Sequence, residues 1–159
     1  MRLFANHRFL LLLPAWGCIL QAWAGGPVTW SFSSVPGGGD TLQVRLTATC
    51  EPGWHIYALE LPSDQGPLPS EVEWTPTPAY RLLGATTEPK PIEKDDPNFG
   101  VAVRYHPGVV SFIQRVVRNT ERPFAITGAV AYMACNDKTC LPPRRVPFAV
   151  NVPSTIEQL

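Results

Sequence analysis

The sequence predicts an all-β chain folded as an antiparallel sandwich, and three observations carry that prediction. Short segments alternate apolar and polar residues. The 18 prolines and 12 glycines punctuate them. No stretch keeps an apolar 3.6-residue period over three turns, so long crossover helices and a parallel α/β sheet are not expected.

Taken in order, residues 41–49 set Leu42, Val44, Leu46 and Ala48 on one face and Gln43, Arg45 and Thr47 on the other. That is the period of a half-buried strand. Residues 54–59 are aromatic and β-branched, and residues 72–74 form a short strand. Residues 101–105 put Val101, Val103 and Tyr105 on one face. Residues 109–117 are apolar-rich, 124–134 make another strand, and 146–152 make the last. Seven or so short strands with turn signals between them match an antiparallel sandwich. Residues 88–98 (EPKPIEKDDPN) are polar, charged and Pro-rich, and read as a long surface loop. Such loops in compact domains often carry function.

The first 24 residues stand apart. Arg2 and Arg8 precede an apolar run, and Ala22-Trp23-Ala24 closes it as an A-x-A site. This is the pattern of a secretory signal peptide cleaved after Ala24. The apolar stretch, residues 9–24, is broken by Pro14 and falls short of the ~20 residues that span a bilayer. Cys18 lies in a poor lipobox. The expected organisation is a signal peptide over residues 1–24 and one exported domain over residues 25–159, with no membrane span in the mature chain.

Removing Arg2 and Arg8 from the 13 basic residues leaves 11 against 13 acidic ones, a formal charge of −2. No basic patch stands out, so nucleic acid is not an expected partner. Three cysteines remain, Cys50, Cys135 and Cys140. Export places them where disulfides persist.

The segment Tyr132-Met133-Ala134-Cys135-Asn136-Asp137-Lys138-Thr139-Cys140-Leu141-Pro142-Pro143 is the chemical centre of the sequence. Asn-Asp is good turn chemistry. A tight connection can bring the two cysteines within the ~4.4–6.8 Å between Cα atoms that a disulfide requires. Pro142 and Pro143 lack N–H donors, which leaves that end of the strand incompletely paired and near the surface. Cys135 follows packing residues and is expected to lie deeper than Cys140. The pair is not a thioredoxin motif, which is CxxC at a helix start. Its natural role is to be attacked by a partner's thiolate, or to hand electrons on once reduced.

Two other readings stay open. Most cysteine pairs in exported domains are structural, although so short a loop constrains the unfolded chain little. The chain would then be a non-catalytic binding sandwich. Copper(I) could be held by Cys135, Cys140 and Met133 on ligand softness, whereas zinc lacks a second CxxC or a suitably spaced His. No cofactor and no resident metal are expected.

Four segments in order resemble one family: Gly53-Trp54-His55-Ile56-Tyr57, Gly66-Pro67-Leu68-Pro69, Asp96-Pro97-Asn98-Phe99-Gly100 and Cys135-x4-Cys140-Leu141-Pro142-Pro143. They look like the N-terminal periplasmic domain of the thiol:disulfide interchange protein DsbD, over nearly the whole mature chain. The resemblance implies an immunoglobulin-like β-sandwich. It implies a pair that takes electrons from a thioredoxin-like domain and passes them to periplasmic isomerases or cytochrome c maturation proteins. It makes Cys140 the attacked sulfur and Cys135 its resolving partner. Phe99 becomes the shield on a cap loop, with His55 and Tyr57 bordering the pair. The family's membrane and thioredoxin-like domains have no counterpart here. The donor is therefore expected to be a separate thioredoxin-like protein or membrane electron carrier, and the acceptors periplasmic oxidised proteins.

His55 shares a strand face with Tyr57 and is either a neighbour that stabilises a thiolate or a half-exposed strand residue. Trp54 is expected in the core, His106 in a turn, and Cys50 as a buried small thiol. Glu93, Asp95 and Asp96 read as a solvated loop.

Overall fold

The computed structural model describes residues 25–154. The expected signal peptide and its cleavage site lie outside them. Among the described residues there are eleven strands and no helix: β1 Val28–Gly38, β2 Thr41–Cys50, β3 His55–Tyr57, β4 Glu71–Trp74, β5 Tyr80–Thr87, β6 Ile92–Asp95, β7 Ala102–Pro107, β8 Val109–Arg118, β9 Phe124–Tyr132, β10 Ala134–Cys135 and β11 Arg144–Val152. All pairings are antiparallel. They build a sheet β1-β2-β8-β5, a sheet β11-β9-β4 and a smaller sheet β10-β3-β7-β6. This is the expected antiparallel, immunoglobulin-like sandwich.

Alternation in the sequence becomes burial in the fold. On β2, Leu42, Val44, Leu46 and Ala48 are all buried, as is Cys50 at its end. They meet Val110, Phe112 and Val116 of β8 and Ile126, Val130, Phe148, Val150 and Val152 of the facing sheet. Aromatic rings bridge the layers: Trp30 lies 5.4 Å from Tyr132 and Phe32 lies 5.2 Å from Phe148, between ring centres. Fully burying a side chain such as Phe112 or Ile126 stabilises the fold by about 1.5–3 kcal/mol. Gly128 on β9 is required by packing, because a Cβ there would overlap the Glu73 carbonyl oxygen and the Phe148 ring.

Three strands were not read from the sequence. β1 is an edge strand whose far end runs through Pro36 and two glycines. β5 is the other edge, and its register with β8 shifts between Leu83 and Thr87. The shift frees the Leu83 and Gly84 carbonyls, and the buried Gln114 amide of β8 donates to both. β6 corrects the loop expected over residues 88–98, since Ile92–Asp95 pairs with β7. It is short, charged and at an edge, which is how sheets blunt exposed edges. The strand expected through residue 134 breaks at Met133, where the chain leaves one sheet and joins another.

The small sheet has two unlike faces, set by the period of two. Ile56, Ala134 and His106 point into the main core. His55, Tyr57, Cys135, Val103 and Tyr105 point the other way, to a second cluster.

Candidate functional site

Cys135 and Cys140 form a disulfide, with Cα atoms 4.1 Å apart. Asn136 builds the turn between them: its side-chain oxygen accepts from the backbone N–H of Lys138 and Thr139, each at 2.9 Å. Its own N–H donates to the Thr139 carbonyl, and Leu141 N–H returns to the Ala134 carbonyl. The expected Asn-Asp turn is thus an Asx turn. Cys135 is fully buried, and Cys140 is partly exposed. The two sulfurs therefore differ in access, with Cys135 the deeper.

Tyr57, Val103 and Cys135 form the buried floor, and Phe99, Val101, Tyr105, Met133 and Cys140 pack on it. The Tyr57 hydroxyl donates to Asp96 Oδ2 at 2.7 Å, and its oxygen lies 3.9 Å from Cys140 Sγ. Burial and the Asp96 bond both push the Tyr57 phenol up, so its proton stays committed to the carboxylate. Burial would raise the Asp96 carboxyl, but hydrogen bonds from Tyr57 and from Asn98 N–H outweigh it and hold the group below its ordinary value. Asp96 is only 1% exposed. That corrects the reading of Asp96 as part of a solvated loop; Glu93 and Asp95 are exposed, as expected.

The turn from Asp96 to Val101 joins β6 to β7 and overhangs the pair. Asp96 N–H bonds the Val101 carbonyl and Gly100 N–H bonds the Asp96 carbonyl, with Gly100 supplying the positive φ of 69° the turn needs. Phe99 is partly buried and meets the Tyr57 ring edge-on, 6.5 Å between centres. Two contacts fasten this turn region to the cysteine loop. Asn98 Nδ2 donates to the Asn136 carbonyl at 2.9 Å, and Lys94 Nζ lies 3.3 Å from Asp137 Oδ1.

His55 is 5% exposed, not half-exposed. Its ring sits edge-on to Tyr57 at 5.3 Å and against Tyr105 at 4.7 Å. It pairs in register with Cys135. Burial pushes its pKa down, with Asp96 and Asp137 pulling the other way and Lys94 reinforcing the fall. Beside it a cleft of about 440 Å³ is lined by Cys50, Trp54, His55, Lys94, Tyr105 and Asp137, among others. The structure therefore gathers all five sequence-predicted site residues, Cys135, Cys140, Phe99, Tyr57 and His55.

Cys50 shares that cleft with His55 but packs in the main core, buried and reduced, its thiol pushed up to about 11 by burial. His106 corrects the expectation of a turn residue: it lies within β7, one residue before the strand's end, facing the core, with Nε2 2.9 Å from Glu88. Glu88 in turn accepts from Leu59 N–H at 3.1 Å. No group of three His, Cys, Asp or Glu among the described residues could hold a metal. Met133 does pack in the cysteine cluster, but both sulfurs it would join are bonded to each other. No helix among the described residues is long and apolar enough to cross a membrane.

Comparisons with known proteins agree with this geometry. The family "Thiol:disulfide interchange protein DsbD, N-terminal" matches residues 26–151. No curated protein sequence is significantly similar. The Neisseria meningitidis DsbD N-terminal domain in its reduced form superposes with a TM-score of 0.51 at 17% identity, over 73% of this chain and 81% of that one. The same organism's complex of the DsbD and PilB N-terminal domains gives 0.50 at 16%, over 77% and 80%. The N-terminal periplasmic domain of ScsB from Proteus mirabilis gives 0.50 at 16%; the match covers 82% of this chain and 49% of that one, about half its length. At these identities the structures speak to fold, and the family match carries the assignment. A sandwich with a disulfide at the end of one small sheet, matched to that family along nearly every described residue, belongs to the DsbD N-terminal domain family of thiol:disulfide interchange proteins.

Proposed function

We propose that this domain relays electrons in the periplasm through the Cys135–Cys140 pair. The donor is a thioredoxin-like protein or a membrane electron carrier. The acceptors are oxidised periplasmic proteins, such as disulfide isomerases or cytochrome c maturation components. The chain is exported on a signal peptide cleaved after Ala24, and residues 25–159 act as one unit. The observation that carries this reading is the unequal depth of the two sulfurs beneath an overhanging turn. The Neisseria DsbD domain in complex with the PilB N-terminal domain supports a protein as the exchange partner.

The chemistry follows from access. A donor thiolate attacks Cys140 Sγ, the Cys135–Cys140 bond breaks, and its electron pair leaves on Cys135. The mixed disulfide at Cys140 is then resolved by the donor's second thiol, which leaves with the oxidising equivalents. The reduced domain reverses these steps on an acceptor: Cys140 attacks, and Cys135 closes the pair. Before attack, Phe99 must swing aside, because exchange needs approach to one sulfur along the breaking bond. No helix among the described residues starts at either cysteine, which suits a pair that answers to its partners.

The reduction potential tests the relay against a structural staple. A structural bridge lies below about −300 mV, whereas a relay pair must be reducible by a thioredoxin-like donor near −270 mV. Equilibration with such a donor should populate both redox forms of the domain. A pair that stays oxidised throughout is a staple, and the binding-module reading then stands.

A further inference from the structure

We infer that His55 is the hydrogen-bond donor for Cys135 when that sulfur leaves as a thiolate. The inference rests on the relay reading for its purpose, and on the geometry of β3 and β10 for its content. His55 and Cys135 are directly opposed in an antiparallel pair, so their side chains share a face with Cβ atoms about 4.5–5.5 Å apart. Ile56 and Ala134, the next opposed pair, face the main core instead. His55 Nε2 is buried with no hydrogen-bond partner. A buried polar nitrogen left unsatisfied is costly and calls for an explanation.

The oxidised pair offers it none, because a disulfide sulfur is a poor acceptor and carries no proton. Reduction changes that. The bond to Cys140 breaks, its electron pair stays on Cys135 Sγ, and a full negative charge forms on a fully buried sulfur. Tyr57 cannot serve as donor, its proton being committed to Asp96. Lys94 is engaged with Asp137 near the surface and stacks over Tyr105 at 4.9 Å. Among the titratable and charged groups around His55 — Tyr57, Cys135, Tyr105, Lys94, Asp96, Asp137 — none donates to Nε2. The neutral imidazole carries one N–H; placed on Nε2, it donates to the leaving sulfur and keeps its proton, and the thiolate is later protonated from solvent. Burial disfavours the imidazolium, which keeps the ring in that neutral form at neutral pH. A better-stabilised leaving thiolate is expelled faster.

The test needs no partner protein, so its outcome is separate from that of the relay. In a full-length Cys18→Ala/Cys50→Ala/Cys140→Ala background, Cys135 is the single thiol, and its ionisation is read from thiolate absorbance near 240 nm. His55→Phe should raise the Cys135 pKa by about one unit, a tenfold loss in thiolate preference. His55→Gln, which keeps an N–H at similar reach, should recover most of the shift. Cys135 titrating alike in the His55→Phe and parent proteins, both folded by circular dichroism, overturns the inference. So does a Gln variant shifted as far as the Phe variant, since ring packing would then be the cause. In the unmutated reduced protein, the His55 Nε2 nitrogen resonance should follow the Cys135 titration with the same midpoint. His106, held by Glu88, should not. A His55 resonance blind to that titration also overturns it.

Discussion

The two faces of β3 show two ways of using burial. Toward the main core it presents Ile56, one of some two dozen clustered side chains, most of them aliphatic or aromatic and held by contact. Toward the cysteines it presents His55 and Tyr57, polar groups that are also buried, beside only two other buried members of that cluster, Val103 and Cys135. The main core holds the fold. The small cluster is held by hydrogen bonds such as Tyr57–Asp96 and Asn98–Asn136 and by strands of two to six residues. What the contrast teaches is that few buried apolar contacts hold the site, the condition under which a region opens at lower cost than the core.

The largest effect should come from breaking the core. Phe112→Ala removes a fully buried ring and should cost about 3–5 kcal/mol in urea unfolding. The reaction of the disulfide with dithiothreitol in the folded fraction should keep its rate. A changed rate would mean that the two layers are coupled.

Acid should separate the layers next. Asp96 has a depressed folded pKa, so its contribution is complete above the ordinary value of about 3.9 and is lost as pH falls through the folded value. His55 is depressed as well. Its neutral burial favours the fold above about pH 6.5, and that advantage fades as pH drops below it. Unfolding free energy should therefore fall in two steps, the first absent in His55→Gln and the second absent in Asp96→Asn. A single step common to wild type and both variants would place the acid sensitivity elsewhere.

A smaller effect should follow from trimming the overhang. Phe99→Ala leaves the core untouched, so stability should change by less than about 1 kcal/mol, as for a partly exposed side chain. The dithiothreitol reaction should speed up severalfold, because access limits exchange. An unchanged rate in the folded variant would make Phe99 a packing residue of the cluster and nothing more.

Most of the sandwich was legible because β2, β8 and β9 each bury one face against water on the other, and the alternation is written residue by residue. β5 and β6 were not. β5 carries a register shift that scrambles its period, and β6 is charged on every side because it is an edge. The site was legible where chemistry sat in one segment, the cysteines and their Asn-Asp turn. Asp96 was missed because its partner Tyr57 is 39 residues away, and a buried carboxylate in a run of acids looks like solvent-facing charge. One local signal was present: Asp-x-Asn, where the Asp96 side chain accepts from Asn98 N–H, marks an ordered turn rather than a loose loop. His106 hid in the same way, since Pro-Gly after it suggested a turn while its partner Glu88 lies 18 residues back.

The most direct test of the account is a trapping experiment on the unequal sulfurs. Cys135→Ala and Cys140→Ala variants of the full chain are expressed in the native host, quenched in acid and run on non-reducing gels. With Cys135 removed, Cys140 remains partly exposed and no neighbouring thiol can resolve its adduct, so mixed disulfides with partner proteins should accumulate. With Cys140 removed, the buried Cys135 should give few or none. Equal adducts from both variants would contradict Cys140 as the point of attack, and no adduct from either would contradict the relay itself.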